Sequence, residues 1–157
     1  MSAVILVEAS ADDLLDVLRV FENCIDISCA NDYTANERRV WKLSSHNHPK
    51  WLKRIDEQSF WLAKSADQLL GFASLEGTDY IDCMYVAPTA QGKGIAKMLL
   101  TKMETVAKGM RSQMIYSDVS YTARPFFERQ QFVVDHPNRN EKDGEVLVNF
   151  RVHKPLD

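Results

Sequence analysis

Several kinds of protein are excluded by what this sequence lacks. No uninterrupted apolar run approaches the roughly 20 residues that a bilayer span needs, so no membrane partner is expected. The opening stretch Met1–Glu8 has no basic segment, and its apolar part is too short for a secretory leader. The formal net charge of −3 gives no support for nucleic acid or an anionic surface as a partner. Cysteine is sparse and odd in number: Cys24, Cys29 and Cys83 fit reduced thiols and a cytoplasmic location better than a disulfide framework. His46-x-His48, even with Cys24 or Cys29 nearby, fits no standard zinc spacing, and there is no Cys-x-x-Cys, so no metal is expected. Repeats, linkers and low-complexity tracts are also missing. The 157 residues therefore read as one domain, 1–157, long enough for a sizeable core.

What is present alternates between strand and helix patterns. Ala3–Val7 reads as a strand, and Ser10 with Asp13 forms a capping-box spacing ahead of a helical stripe through Leu14, Val17, Leu18, Phe21, Cys24 and Ile25. Thr34 and Glu37 start a second helix through Trp41 and Leu43, and residues 44–48 read as a loop. Pro49 suits the first position of a third helix reaching Ile55. Residues 60–64 and 69–75 are predicted to pair as a hairpin around Ser65–Gln68. Residues 113–119 form a further strand, and 123–129 a short helix. The segments 132–134 and 146–152 close the chain as two strands, joined by a polar loop from Asn138 to Gly144. The order implies an α/β fold with a mixed sheet.

The informative stretch runs from Tyr80 to Met110. Tyr80–Val86 has the composition of a largely buried strand, and Pro88 ends it because proline cannot donate to a ladder. From Ile95, apolar residues recur at helical spacing through Ala96, Leu99, Leu100, Met103, Val106, Ala107 and Met110. Gly109 stands where a helix end favours a residue tolerant of the left-handed region. The chain has only six glycines, and two of them, Gly92 and Gly94, fall together at the start of this helix. Free N–H groups and the positive dipole end make a helix N-terminus a site for phosphate, and glycine lets an anion approach the backbone. Lys93 adds positive charge. The dinucleotide fingerprint is excluded by Lys97, and the P-loop by Ala87 and Gly94.

The segment Gln91-Gly92-Lys93-Gly94-Ile95-Ala96 resembles the signature of the GNAT acetyltransferase superfamily, Gln/Arg-x-x-Gly-x-Gly/Ala, met by Gln91, Gly94 and Ala96. Tyr85-Val86-Ala87-Pro88 is similar to that family's strand ending, and the order of elements agrees across nearly the whole chain. The closing sequence Gly144–Asn149 resembles a bacterial subgroup of small single-domain members. The resemblance implies a mixed, mostly antiparallel central sheet flanked by helices. It also implies acetyl-coenzyme A as co-substrate, held by Met84, Tyr85, Val86, Gln91, Gly92, Lys93, Gly94, Ile95, Ala96 and Phe127. The acceptor would be a primary amine of a small molecule or a protein, and homodimers are common in the family.

Acetyl transfer needs a polarised thioester carbonyl, a neutral amine and, for the leaving thiolate, a source of a proton. The family polarises the carbonyl with a backbone N–H of the bulged strand, which implicates Met84–Val86. Many members carry a tyrosine on the helix after the following strand as proton donor. Here Phe127 stands at that position and cannot donate. Tyr121, Tyr116 or a water are substitutes, with Tyr121 as the named candidate beside the plain reading of a half-buried loop aromatic. The same departure keeps a second reading open, a coenzyme A sensor without turnover. Asp82 is the candidate general base, sharing a face with Tyr80 and Met84 by strand alternation; the alternative is an exposed carboxylate at a strand end. Tyr33, Trp41 and His46 are candidates for the acceptor pocket, with ordinary packing the plain alternative for the tryptophan.

Overall fold

A computed structural model describes residues 3–157; Met1 and Ser2, the start of the stretch judged for a leader, lie outside the described residues. Seven strands form one sheet in the order β1-β2-β3-β4-β5-β7-β6. They are β1 (Val4–Glu8), β2 (Ser59–Ser65), β3 (Gln68–Glu76), β4 (Tyr80–Val86), β5 (Met114–Ser120), β6 (Val133–Lys142) and β7 (Glu145–Pro155). Every neighbouring pair is antiparallel except β4 and β5. Among the described residues five α-helices cover the sheet: α1 (Leu14–Asn23), α2 (Ala35–Lys42), α3 (His48–Glu57), α4 (Ile95–Gly109) and α5 (Arg124–Arg129). The mixed, mostly antiparallel α/β architecture read from the sequence is the one observed. Among the described residues no helix is long and apolar enough to cross a membrane.

The local signals act where they were read. Thr34 and Glu37 close a reciprocal capping box at α2, with bonds of 2.8 and 3.1 Å. Ser10 and Asp13 do the same for a single tight turn ahead of α1. The helical stripe read through Ile25 is interrupted: α1 ends at Asn23 and widens into a π-helical turn, Cys24–Ser28. Residues 43–46 form a 3-10 turn rather than an open loop. Asn47 caps α3 by accepting from the Lys50 N–H, so Pro49 is its second residue, not its first.

Two further expectations fail for identifiable reasons. Gly109 lies inside α4, and Arg111 takes the left-handed conformation at φ 65° instead, with the Ser112 N–H bonding back to the Ala107 carbonyl. The polar run 138–142 is strand, not loop. β6 is the edge of the sheet, so its side chains are mostly solvated and no apolar alternation is needed to hold it. Only Asp143 and Gly144 turn, with φ 45° and 80°, the pair of positive values a two-residue hairpin favours.

The core lies on both faces of β2, β3 and β4. On one face Phe21, Trp51, Phe60, Phe72 and Tyr85 pack edge to face, stacked or tilted at centroid separations of 4.9–6.2 Å. On the other, α4 buries Ile95, Leu99, Leu100, Met103 and Ala107. Burying each large side chain there contributes about 1.5–3 kcal/mol relative to exposure. Gly71 of β3 lets α4 sit this close. A methyl group there would lie 2.9 Å from the Tyr85 carbonyl oxygen and 3.2 Å from Ile95. Gly71→Ala is expected to destabilise the fold by roughly 1–3 kcal/mol through overpacking, measured as a shift in urea midpoint at unchanged slope.

Candidate active site

The two parallel strands pair only at Tyr80 with Tyr116 and Ile81 with Ser117, and then part. Between them opens a cleft of about 1090 Å³. The Ala87 N–H donates to the Leu70 carbonyl of β3, so strand alternation turns the backbone groups of Val86 and Met84 to the opposite edge, toward the cleft. No strand among the described residues pairs with that edge beyond Ile81. The register of β3 on β4 also slips, from Ser74 opposite Cys83 to Leu75 opposite Ile81, leaving Asp82 as the extra residue of a bulge.

One end of the cleft is the start of α4. Gly92 and Gly94 adopt φ 74° and 79°. Gly94 is the N-cap, and its carbonyl takes the Met98 N–H, so the N–H groups of the first turn have no helical partner. Gln91 donates its side-chain amide to the Val86 carbonyl at 3.1 Å, tying the loop to the end of β4. Gln91, Gly92, Gly94, Ile95 and Ala96 line the cleft, as do Met84, Tyr85, Val86 and Phe127. Lys93 is exposed outside the lining; Lys97 and Arg129 are the cations that line this end. Lys97, turned by the helical period, and Arg129, on a separate helix, were not singled out from the sequence.

The wall opposite is built on the π-helical turn, which brings Cys24, Ser28 and Cys29 to the cleft. Hydrogen bonding to Cys29 and burial push the Cys24 thiol up, while the same bond holds the Cys29 thiol down. Tyr33 ties this wall together. Its hydroxyl donates to the Val148 carbonyl at 2.8 Å and accepts from the Tyr121 N–H at 3.0 Å. Its ring lies 5.2 Å from Trp41, and both side chains line the cleft. Tyr33 is 6 % exposed, and burial pushes its hydroxyl up to about 12.

Of the other sequence candidates, His46 and Tyr121 lie outside the cleft, while Phe127 and Asp82 line it. His46 is exposed and outside the lining, because the 3-10 turn carries it past α2. Tyr121 is 45 % exposed and also outside; its ring rests on Phe150 and Tyr33. Phe127 is 3 % exposed and packs on Phe126 and Phe132. Asp82 reaches the cleft, but the bulge breaks the alternation that grouped it with Met84. Its Oδ2 accepts from Gln58 Nε2 at 2.8 Å and pairs with Arg54 Nε at 3.1 Å, both on the α3 side. Among the described residues no group of three or more His, Cys, Asp or Glu is placed to hold a metal ion.

The far end of the cleft was not foreseen. Tyr80, Asp118, Asn138, Asn140 and Asn149 line it. Burial alone would raise the Asp118 carboxyl. Hydrogen bonds from Arg151, Tyr80 and Asn138 outweigh that and hold it below its ordinary value. Burial, then the bond to Asp118, pushes the Tyr80 hydroxyl up. The signal available in the sequence was a lone carboxylate inside the strand Met114–Ser120.

The acetyltransferase (GNAT) domain family matches residues 29–154. The uncharacterised N-acetyltransferase YafP of Escherichia coli is 26 % identical over 145 residues, 91 % of each chain. A GCN5-related N-acetyltransferase structure from Rhodopseudomonas palustris superimposes with a TM-score of 0.95 at 28 % identity, covering 99 % of this chain and 98 % of that one. The PaiA N-acetyltransferase of Thermoplasma acidophilum, solved with coenzyme A, has a TM-score of 0.77 at 19 % identity, covering 98 % and 99 %.

Tyr33 supplies a test of the wall. Its folded-state value lies above the ordinary value of about 10, so its contribution is complete below that pH and is lost as pH rises from about 10 to about 12. Tyr33→Phe is expected to cost about 1–3 kcal/mol near neutral pH through the two lost bonds, and to make the alkaline loss of stability shallower. Urea unfolding from pH 8 to 12 checks both.

Proposed function

We propose, for a chain that belongs to the GNAT acetyltransferase family, that it transfers the acetyl group of acetyl-coenzyme A to a primary amine of a small molecule or protein. The observation that carries this reading is the unpaired edge of β4 running into the free N-terminus of α4. An extended pantetheine arm can take the place of a strand along Met84–Val86. Its pyrophosphate suits the first-turn N–H groups and the glycines at 92 and 94. Lys97 and Arg129 add cationic charge at that end.

The chemistry then rests on positioning. An N–H of Met84 or Val86, aimed into the cleft, would hydrogen-bond the thioester oxygen as negative charge develops there. The amine nitrogen attacks the carbonyl carbon, the C–N bond forms and the C–S bond breaks. The amine proton passes through a water to Asp82, whose Oδ2 is engaged by Arg54 and Gln58 and whose Oδ1 remains for that water. The coenzyme leaves as a thiolate, which a water can protonate, since an ordinary thiol has a pKa of about 8.5. No side-chain acid is needed, consistent with Phe127 at the position where many relatives carry tyrosine. That same phenylalanine supports the second reading, a coenzyme A sensor, and thiol release separates the two.

Acetyl-coenzyme A is expected to raise the melting temperature, because a ligand bound only by the folded state stabilises it by mass action. No shift at millimolar ligand would remove both readings. Gly94→Ala is expected to abolish this shift while retaining the fold, since a Cβ there meets nothing within 4 Å and the left-handed backbone costs about 1–3 kcal/mol. Asp82→Asn is expected to lower the rate of thiol release with an amine acceptor by about 10²-fold or more and to change its pH profile; unchanged kinetics would remove the base assignment.

A further inference from the structure

The far end of the cleft is organised around one carboxylate. Asp118 on β5 lies directly opposite Arg151 on β7. Its Oδ1 accepts from Arg151 Nε at 2.9 Å and Asn138 Nδ2 at 2.7 Å. Its Oδ2 accepts from Arg151 Nη2 at 2.9 Å and the Tyr80 hydroxyl at 2.6 Å. The two-pronged arginine contact keeps Asp118 ionised, so it can only accept.

That single constraint propagates. Asn138 must present its nitrogen to Asp118, and the same nitrogen reaches Asn149 Oδ1 at 2.9 Å. Asn149 Oδ1 also takes Asn140 Nδ2 at 3.2 Å, and that nitrogen is held by the Leu147 carbonyl at 3.0 Å. Each amide is thereby locked in one orientation. The donors of Tyr80, Asn138 and Asn140 are engaged, while the carbonyl oxygens of Asn138 and Asn140 and the lone pairs of the Tyr80 oxygen stay available. Asp82 Oδ1 extends this set of acceptors toward the coenzyme end. The counter-cations Arg54 and Arg151 do not line the cleft. The donors that remain at this end are the neutral Asn149 amide, the Ser120 hydroxyl on the residue opposite it, and Arg139, exposed on the edge strand.

We propose that Asp118 is a positioning residue that gives the acceptor half of the cleft an oxygen-lined wall, selecting amines that carry N–H donors and no carboxylate. This rests on the acetyl-transfer reading above. An ammonium or amine N–H finds partners on this wall, whereas a carboxylate meets oxygens with no buried cation to balance it.

The test uses matched pairs that differ only by a carboxylate: cadaverine and L-lysine, tyramine and L-tyrosine, histamine and L-histidine, with acetyl-coenzyme A and thiol release as readout. The amine of a pair is expected to exceed its amino acid by at least about tenfold in kcat/KM. Equal or better turnover of the amino acids overturns the proposal. So does the absence of turnover in every pair by protein that acetyl-coenzyme A stabilises. Absence of that stabilisation overturns the acetyl-transfer reading instead. Asp118→Asn is expected to raise KM for the preferred amine about tenfold, with kcat and the KM for acetyl-coenzyme A within about twofold. An unchanged amine KM, or equal losses toward both substrates, overturns the positioning role. Should Asp118→Asn not fold by circular dichroism, Asn138→Ser breaks the relay while leaving the Asp118–Arg151 pair, and the same rise in amine KM is required of it.

Discussion

The parting of β4 from β5 after two residue pairs is the constraint on which the rest depends. A sheet interior normally satisfies every backbone group on both edges of a strand. Here β4 pairs with β3 from Tyr80 to Val86 except at the bulged Asp82, while the edge carrying Met84 and Val86 faces open space. The gap is maintained from several sides. α4 packs under β3 at Gly71, the Gln91 side chain ties the loop back to Val86, and β5 is drawn away by its long antiparallel pairing with β7. A ligand with its own donors and acceptors can complete the edge, and the positive end of the helix dipole at the start of α4 suits an anionic group there.

The polar groups within the cleft follow a second rule. Each carboxylate that lines it has an arginine behind it, Arg54 for Asp82 and Arg151 for Asp118. Neither arginine faces the cleft, so the ion pairs present oxygen inward. Removing one partner of such a pair would leave a charge poorly compensated, which makes the arrangement rigid. Rigidity suits a reaction accelerated mainly by holding two substrates in register.

The aromatic cluster joins these two ends. Phe21, Trp51, Phe72 and Tyr85 fix α1 and α3 against β3 and β4. Tyr33 then links the segment after α1 to β7 and to the end of β5 through its two hydrogen bonds. The helical wall and the open edge of β4 are therefore parts of one packed unit, and a change in the wall is felt at both.

Much of this was legible in the chain. Helix caps at Thr34 and Ser10, the helical stripe of α4 and the glycines at 92 and 94 are local features, decided within a few residues by hydrogen bonding and backbone sterics. They suffice for the order of elements and for the glycine loop at the start of α4. What the chain could not display were relations between distant segments. The bulge at Asp82 arises from register against β3, and it took Asp82 away from Met84 and toward Arg54 and Gln58. The polar residues 138–142 became strand because the sheet placed them at an edge, where solvated side chains suffice. Asp118 and Arg151 stand 33 positions apart, and Tyr80 and Asp118 38; only the pairing of β5 with β4 and β7 brings them together. The glycine loop and the end of β4 beside it were written in one continuous stretch, residues 84–96, whereas the far end of the cleft is assembled by the sheet from three separate parts of the chain.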